Sequence, residues 1–342
     1  MERVALLCAG LALSTCASAG PVTATRTQTP SPVAPTTAGA PGPIAKETTD
    51  AYAKLLADAT QAYAQGDADR ALALLGQAMQ LLPAEGPAYV MSGVVLYGTA
   101  RAAAAAPQFK RGIELGHGEL KVRMLRQISE VTGQARSPEE QRLLKAAFDA
   151  TEAGHPDQAL APLQRALDLN PANARTRYEI GYAMISLGRV DDAIPQLEEE
   201  RRINPVYRAL LAELQYCYAE RQRFAEMRGV VADRVLVEGE QPGLLHELGY
   251  AYAASGNTDV AIGTLEDNLL RHPAFFLSHF SLGQLYCDRK KDAAKGRAHL
   301  DAFVAAAEKE RRNPGDREGS IPSAKLETAL RDAQSLQRSC GN

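Results

Sequence analysis

Small and apolar residues recur along the middle of this chain at helical spacing, and the pattern itself returns every 34 residues. Gln65-Gly66-Asp67 precedes Ala71, Ala78 and Pro83, and Ala153-Gly154-His155 precedes Ala159, Ala166 and Pro171. Leu187-Gly188-Arg189 precedes Ala193 and Pro205, and Ser255-Gly256-Asn257 precedes Ala261 and Pro273. A small residue at a turn, another five positions on and a proline seventeen on describe a helix–turn–helix unit. The small residues let paired helices approach closely. The proline stops the second helix, since it cannot donate the backbone bond and clashes in a helix interior. Near the end, Leu326, Leu330, Ala333 and Leu336 stand at helical spacing among charged residues, which predicts a final amphipathic helix over 322–338.

The register starts at Tyr52, steps to Gly86, resumes at Glu140 and continues through Ala174, Arg208, Pro242 and Phe276, giving seven units. Units one, four and six carry the pattern best. Unit two has an Ala102–Ala106 run where its turn is expected. Unit five has Gln215 and Gln222 at small-residue positions. Unit seven is stretched, with Ala298 about three residues late. Between units two and three, Leu120 to Val131 predicts an extra helix, which either kinks the array or caps a short N-terminal part of it. Ser137-Pro138-Glu139-Glu140 restarts the helices, with Ser137 as N-cap, Pro138 in the first turn and Glu140 completing a capping box.

These units resemble the tetratricopeptide repeat (TPR) over roughly residues 47–312. The resemblance implies an all-α TPR superhelical solenoid of about seven helix pairs, with the extra helix near 120–131 and a C-terminal capping helix within 313–342. It also implies that positions 2, 5, 9, 12 and 13 of each unit line a concave groove. Position 9 holds Phe148, Tyr182, Tyr216 and Tyr250, and position 5 holds Tyr178, His246 and Phe280. Such a line of rings suits an extended or proline-rich peptide segment, or else it fills the space between neighbouring helices. Position 6 repeats Glu179, Glu213 and Glu247, with Glu152 and Glu220 at position 13. These read as an acidic rim favouring basic or neutral peptides, or as a solvated helix face. The TPR clamp for acidic C-terminal tails needs Lys, Arg and Asn where this chain has Tyr, His and Glu.

Composition narrows the function further. A net charge of −3 and a pI near 6.1 argue against nucleic acid as the main partner. Val4 to Leu13 is apolar and too short to span a bilayer, so residues 1–19 read as an export signal. Leu13-Ser14-Thr15-Cys16 resembles a bacterial lipobox, which implies lipidation of Cys16. Ala17-Ser18-Ala19 offers ordinary secretion instead. Residues 20–46, rich in Pro, Thr and Ala, read as a disordered linker. Beyond Cys8 and Cys16, the cysteines are Cys217, Cys287 and Cys340. They have no C-x-x-C spacing, and the last two pair if the final helix folds back on the last unit.

Motifs that carry chemistry are nearly absent from the sequence. His246-Glu247 begins like a zinc-protease helix, but Tyr250 stands where the second His belongs. No phosphate loop, nucleophile elbow or dinucleotide fingerprint occurs, and the six histidines are scattered. The sequence therefore predicts no catalytic residue, no metal, no cofactor and no small-molecule substrate. It points to a protein-interaction scaffold of the bacterial cell envelope, similar to bacterial TPR lipoproteins. That places it in the periplasm or outer membrane as a lipoprotein, or soluble after export. The other readings are a regulatory subunit of an envelope enzyme, or an enzyme with degenerate repeats.

Overall fold

The computed structural model describes residues 45–99, 101–312 and 323–340. The expected export signal, Cys16 and the expected linker up to residue 44 lie outside these residues, as does the stretch 313–322, while Lys46, the last residue of that expected linker, opens the first helix. The described residues are helical, with no strand among them. Unit one pairs α1 (Lys46–Ala64) with α2 (Ala68–Leu81), and unit two pairs α3 (Gly86–Gly98) with α4 (Ala102–Leu115). The extra helix is α5 (Gly118–Thr132). Unit three is α6 (Pro138–Glu152) and α7 (Pro156–Leu169), and unit four is α8 (Ala174–Ser186) and α9 (Val190–Ile203). Unit five is α10 (Arg208–Glu220) and α11 (Phe224–Glu238), and unit six is α12 (Pro242–Ala254) and α13 (Thr258–Arg271). Unit seven is α14 (Leu277–Gln284), prolonged by a π turn (Leu285–Lys290), with α15 (Ala293–Arg312). The cap is α16 (Ser323–Ser339).

The 34-residue pattern works through two devices. The first is the turn. Gly66, Gly154, Gly188 and Gly256 all adopt positive φ, and in each the next amide reaches back five residues, as Asp67 N does to the Ala62 carbonyl at 2.9 Å. This closes the first helix of each pair. Unit five keeps the same turn with Gln222 at φ 54°, a conformation a side chain disfavours. The second device is close approach. A Cβ on Gly181 would stand 2.5 Å from Leu197 Cδ2, and one on Gly249 would stand 2.7 Å from Leu265 Cγ. Ala193 and Ala261 are fully buried on the opposing helices. In unit two the Ala102–Ala106 run is the start of α4 rather than a turn, and Ala105 fills the small position against Gly93.

Unit seven holds one extra residue, not three. Glycine and its covering side chain are 16 apart in Gly181–Leu197 and Gly249–Leu265, but 17 apart in Gly283–Leu300. The small residue of the second helix is Gly296, not Ala298. The π turn absorbs the addition, because its i→i+5 bonding takes one more residue than an α turn. Cys287 within that turn forms a disulfide with Cys340 after α16, with Cα atoms 5.2 Å apart. Arg297 donates to the Cys340 carbonyl at 2.6 and 3.1 Å. Leu326, Ala329, Leu330 and Ala333 of α16 bury themselves with Leu300, Phe303 and Ala307, so the cap covers the end of the array as its pattern predicts.

The N-terminal part, α1–α5, folds back on the middle of the array. Helix α5 packs on α3 and α4 and ends this part without a second helix of its own. Tyr97 Oη lies 2.9 Å from the Thr132 carbonyl and 2.5 Å from that of Ala172. Asn204 donates to Thr132 Oγ1 at 3.0 Å, and Lys121 donates to the Leu236 carbonyl. Buried Asp233 accepts from Lys110 and Arg201, each at 2.6 Å. Val90, Phe109, Ile113 and Ile128 share one hydrophobic core with Leu197, Leu210, Leu214 and Val230. The restart at Ser137 is capped as predicted, with Ser137 Oγ accepting from Glu140 N at 3.0 Å, but the returning bond of the capping box falls one residue earlier, on Arg136 N rather than Ser137 N. Glu140 is buried and accepts from Arg136 N, Asn170 and Asn173, tying the restart to the end of unit three.

Candidate partner-binding groove

The rings at repeat position 9 come from the first helices of units three to six. They differ in how far they project. Phe148 on α6 is 54% exposed and Tyr182 on α8 is 38% exposed. Tyr216 on α10 and Tyr250 on α12 are half-buried and lean on the central core, Tyr250 edge-on to Phe224 with centroids 5.7 Å apart. At position 5, Tyr178 is half-buried, stacked on Tyr182 at 6.2 Å and edge-on to Tyr207 at 5.1 Å. Burial pushes its hydroxyl well above the usual tyrosine range, so it stays a neutral donor and acceptor. Tyr207, at the last position of unit four, is a member of this ring group that helix positions alone do not reveal.

The other position-5 residues do not face an open groove. His246 is 6% exposed, with Nε2 2.9 Å from Ser281 Oγ and its ring tilted against Phe275. Burial pushes its imidazole down to about 4. Phe280 is equally buried, packed on Phe303 at 5.2 Å. The reason is local: the lead-in to unit seven closes over His246, and α15 covers Phe280.

The three glutamates form no common rim. Glu179 is partly exposed and paired with Arg175 at 3.3 Å. Glu213 is half-buried, and burial raises its carboxyl above the ordinary range. Glu247 accepts from Gln215 Nε2 at 2.8 Å and lies 3.7 Å from Arg234, with burial the largest cause of its raised carboxyl. Arg234 in turn donates to Gln215 at 2.7 Å and to Glu238 at 2.7 Å. Gln215 thus stands at a small-residue position where it joins Arg234 of unit five to Glu247 of unit six.

Beside Phe148 a cleft of about 410 Å³ opens between α6, α8 and the 133–135 loop. Leu144, Ala147 and Leu163 line it together with Lys145, Arg175 and Glu179. Lys145 is paired with Asp149 at 2.8 Å and Arg175 with Glu179, so the charges here are matched within the chain. The cleft offers apolar area, one exposed ring and no net charge.

Among the described residues no three His, Cys, Asp or Glu gather as metal ligands, and no helix is long and apolar enough to cross a membrane. Cys217 is fully buried and its thiol is pushed up to about 12, which makes it an inert core residue.

Residues 150–214, which carry Tyr178 and Tyr182, match the family model of the tetratricopeptide repeat. No curated protein matches the chain. Among solved structures, MamA from Desulfovibrio magneticus RS-1 is 17% identical, with a TM-score of 0.44 over 53% of this chain and 100% of that one. TTC0263, a thermophilic TPR protein of Thermus thermophilus, is 22% identical, with a TM-score of 0.35 over 57% of this chain and 99% of that one. Likeness of this degree says nothing about what the chain binds. The chain is an all-α superhelix of tetratricopeptide-type helix pairs, with the repeat matched directly over residues 150–214.

Proposed function

We propose that this protein is a non-catalytic scaffold that grips extended peptide segments of other proteins on the first-helix face of units three and four. The observation that carries this reading is Phe148, a large ring more than half exposed beside an apolar cleft whose charges are already matched. Tyr182, stacked on Tyr178, continues the surface one unit on. Aromatic side chains with few rotors suit such contacts, because little entropy is lost on binding. The partner segment is uncharged or weakly basic and extended, as paired charges and stacked rings favour.

The site of action in this proposal is the bacterial cell envelope, with the chain exported and held by a lipidated Cys16. The buried Cys287–Cys340 disulfide supports an oxidising compartment. A Phe148→Ala, Tyr182→Ala double variant is expected to abolish capture of partners from a membrane extract while its thermal midpoint moves little. Undiminished capture, or loss of folding in step with capture, would refute the groove. Cys16→Ser is expected to move the protein from the membrane fraction to the soluble one, and unchanged membrane recovery would remove the anchor.

A further inference from the structure

Three of the six histidines meet on one helix. His246 of α12 binds Ser281 of α14, and His279 of α14 lies with its Nδ1 2.9 Å from Nδ1 of His299 on α15. Helix α14 is therefore held on both flanks by imidazoles. The His279–His299 contact places one ring nitrogen as donor and the other as acceptor, so it exists only while at least one ring is neutral. The ring centroids are 5.2 Å apart, as two rings meeting nitrogen to nitrogen require. The ring nitrogens thus face each other rather than converging on a common ligand position.

No carboxylate forms an ion pair with any of the three rings among the described residues. Around His299 stand Glu266 from α13, which favours its charged form, and Lys295 on α15, which opposes it. Glu266 is already engaged, accepting from Tyr286 Oη at 2.8 Å, and the Tyr286 ring lies parallel to His299 at 5.6 Å. Around His279 the facing titratable group is His299 itself. Around His246 the neighbours are Phe275 and Ser281, neither of which can balance a charge. The side chain of Glu247, next in sequence, is turned away to Gln215 and Arg234.

We propose that α14 is an acid-operated latch, released when His246, His279 and His299 take up protons, so that α14 loosens from α12 of unit six and from α15 of its own unit. Opening bares the seam where Leu282, Leu285 and Tyr286 pack on Ile262 and Leu265. The Cys287–Cys340 disulfide keeps the π turn fastened to the end of the cap while α14 parts from its neighbours.

Linkage sets the direction. All three imidazoles are harder to protonate folded than unfolded, chiefly because of burial. The closed form is therefore fully favoured above about pH 6.5, and that advantage is lost as pH falls toward the folded values. For His246, the gap between 6.5 and about 4 shifts the opening equilibrium roughly 30-fold by pH 5.

Hydrogen exchange of the full oxidised chain, corrected for intrinsic rates, tests the latch at pH 7.5 and 5.0. Amides of 277–290 are expected to lose at least tenfold protection on acidification, with those of 176–186 unchanged. A His246→Gln, His279→Asn, His299→Asn variant keeps donor and acceptor atoms but cannot charge, and its protection is expected to be the same at both pH values. Equal acid responses in the two segments, or in variant and wild type, would overturn the proposal. Should that variant fail to fold, imidazole titration of the wild-type chain by NMR decides. Ordinary titration near 6.5 at all three rings overturns the latch, and midpoints shifted below it uphold it.

Discussion

Units three and four place their position-9 rings in solvent, while units six and seven bury their position-5 rings. Phe148 and Tyr182 project; His246 and Phe280 are closed in. All four lie on the first helices of their units, and position 5 is more buried than position 9 within one unit, as Tyr178 is against Tyr182 and His246 against Tyr250. The rest of the difference comes from the neighbouring unit. Past α6 the next first helix brings Arg175 and Glu179, a pair that neutralises itself and leaves the ring uncovered. Past α12 the chain brings Phe275 and Ser281, which cover His246. Repeat position sets the direction in which a side chain leaves its helix, and the next unit decides whether it meets water.

The comparison breaks most visibly at its two phenylalanines. Phe280→Ala is expected to cost about 3–5 kcal/mol of stability by chemical denaturation, as for a buried ring, whereas Phe148→Ala is expected to stay within about 0.5 kcal/mol. Equal losses would put both rings in the core. Next in size is the closure of the C-terminal end. The disulfide spans 53 residues, and Cys340→Ser is expected to remove about 2–4 kcal/mol by freeing the unfolded chain. The same variant should speed proteolysis in α15 and α16 while leaving α6–α8 resistant. Cleavage spreading evenly over both ends would show that they unfold together. The smallest effect lies between the two regions. Gln222→Gly, at φ 54°, is expected to stabilise unit five by about 1 kcal/mol, read as a raised thermal midpoint.

Much of the fold is written in residue types that act locally. Gly188 and Ala193 announce a turn and a close contact within a few residues of each other, and Ser137 with Glu140 announces a helix start. The alternation in α16 names its buried face. What escapes the sequence are effects assembled from distant parts. Nothing near Ala298 reveals that a π turn at 285–290 shifts the register by one. Nothing beside Glu247 reveals that Gln215, 32 residues earlier, reaches it. The joint of Tyr97, Lys110 and Asp233 joins positions with no shared pattern, up to 123 residues apart. For the candidate site, the identity of the rings was legible and their cover was not, because cover depends on the neighbouring unit.

The folded-back joint also has a mechanical side. A pull entering at Lys46 does not travel only unit by unit along the spiral. It also crosses sideways, at Asp233 and Asn204 into units four and five and at Ala172 into the end of unit three. The pull is thus shared among several cross-links instead of resting on the 133–137 loop alone.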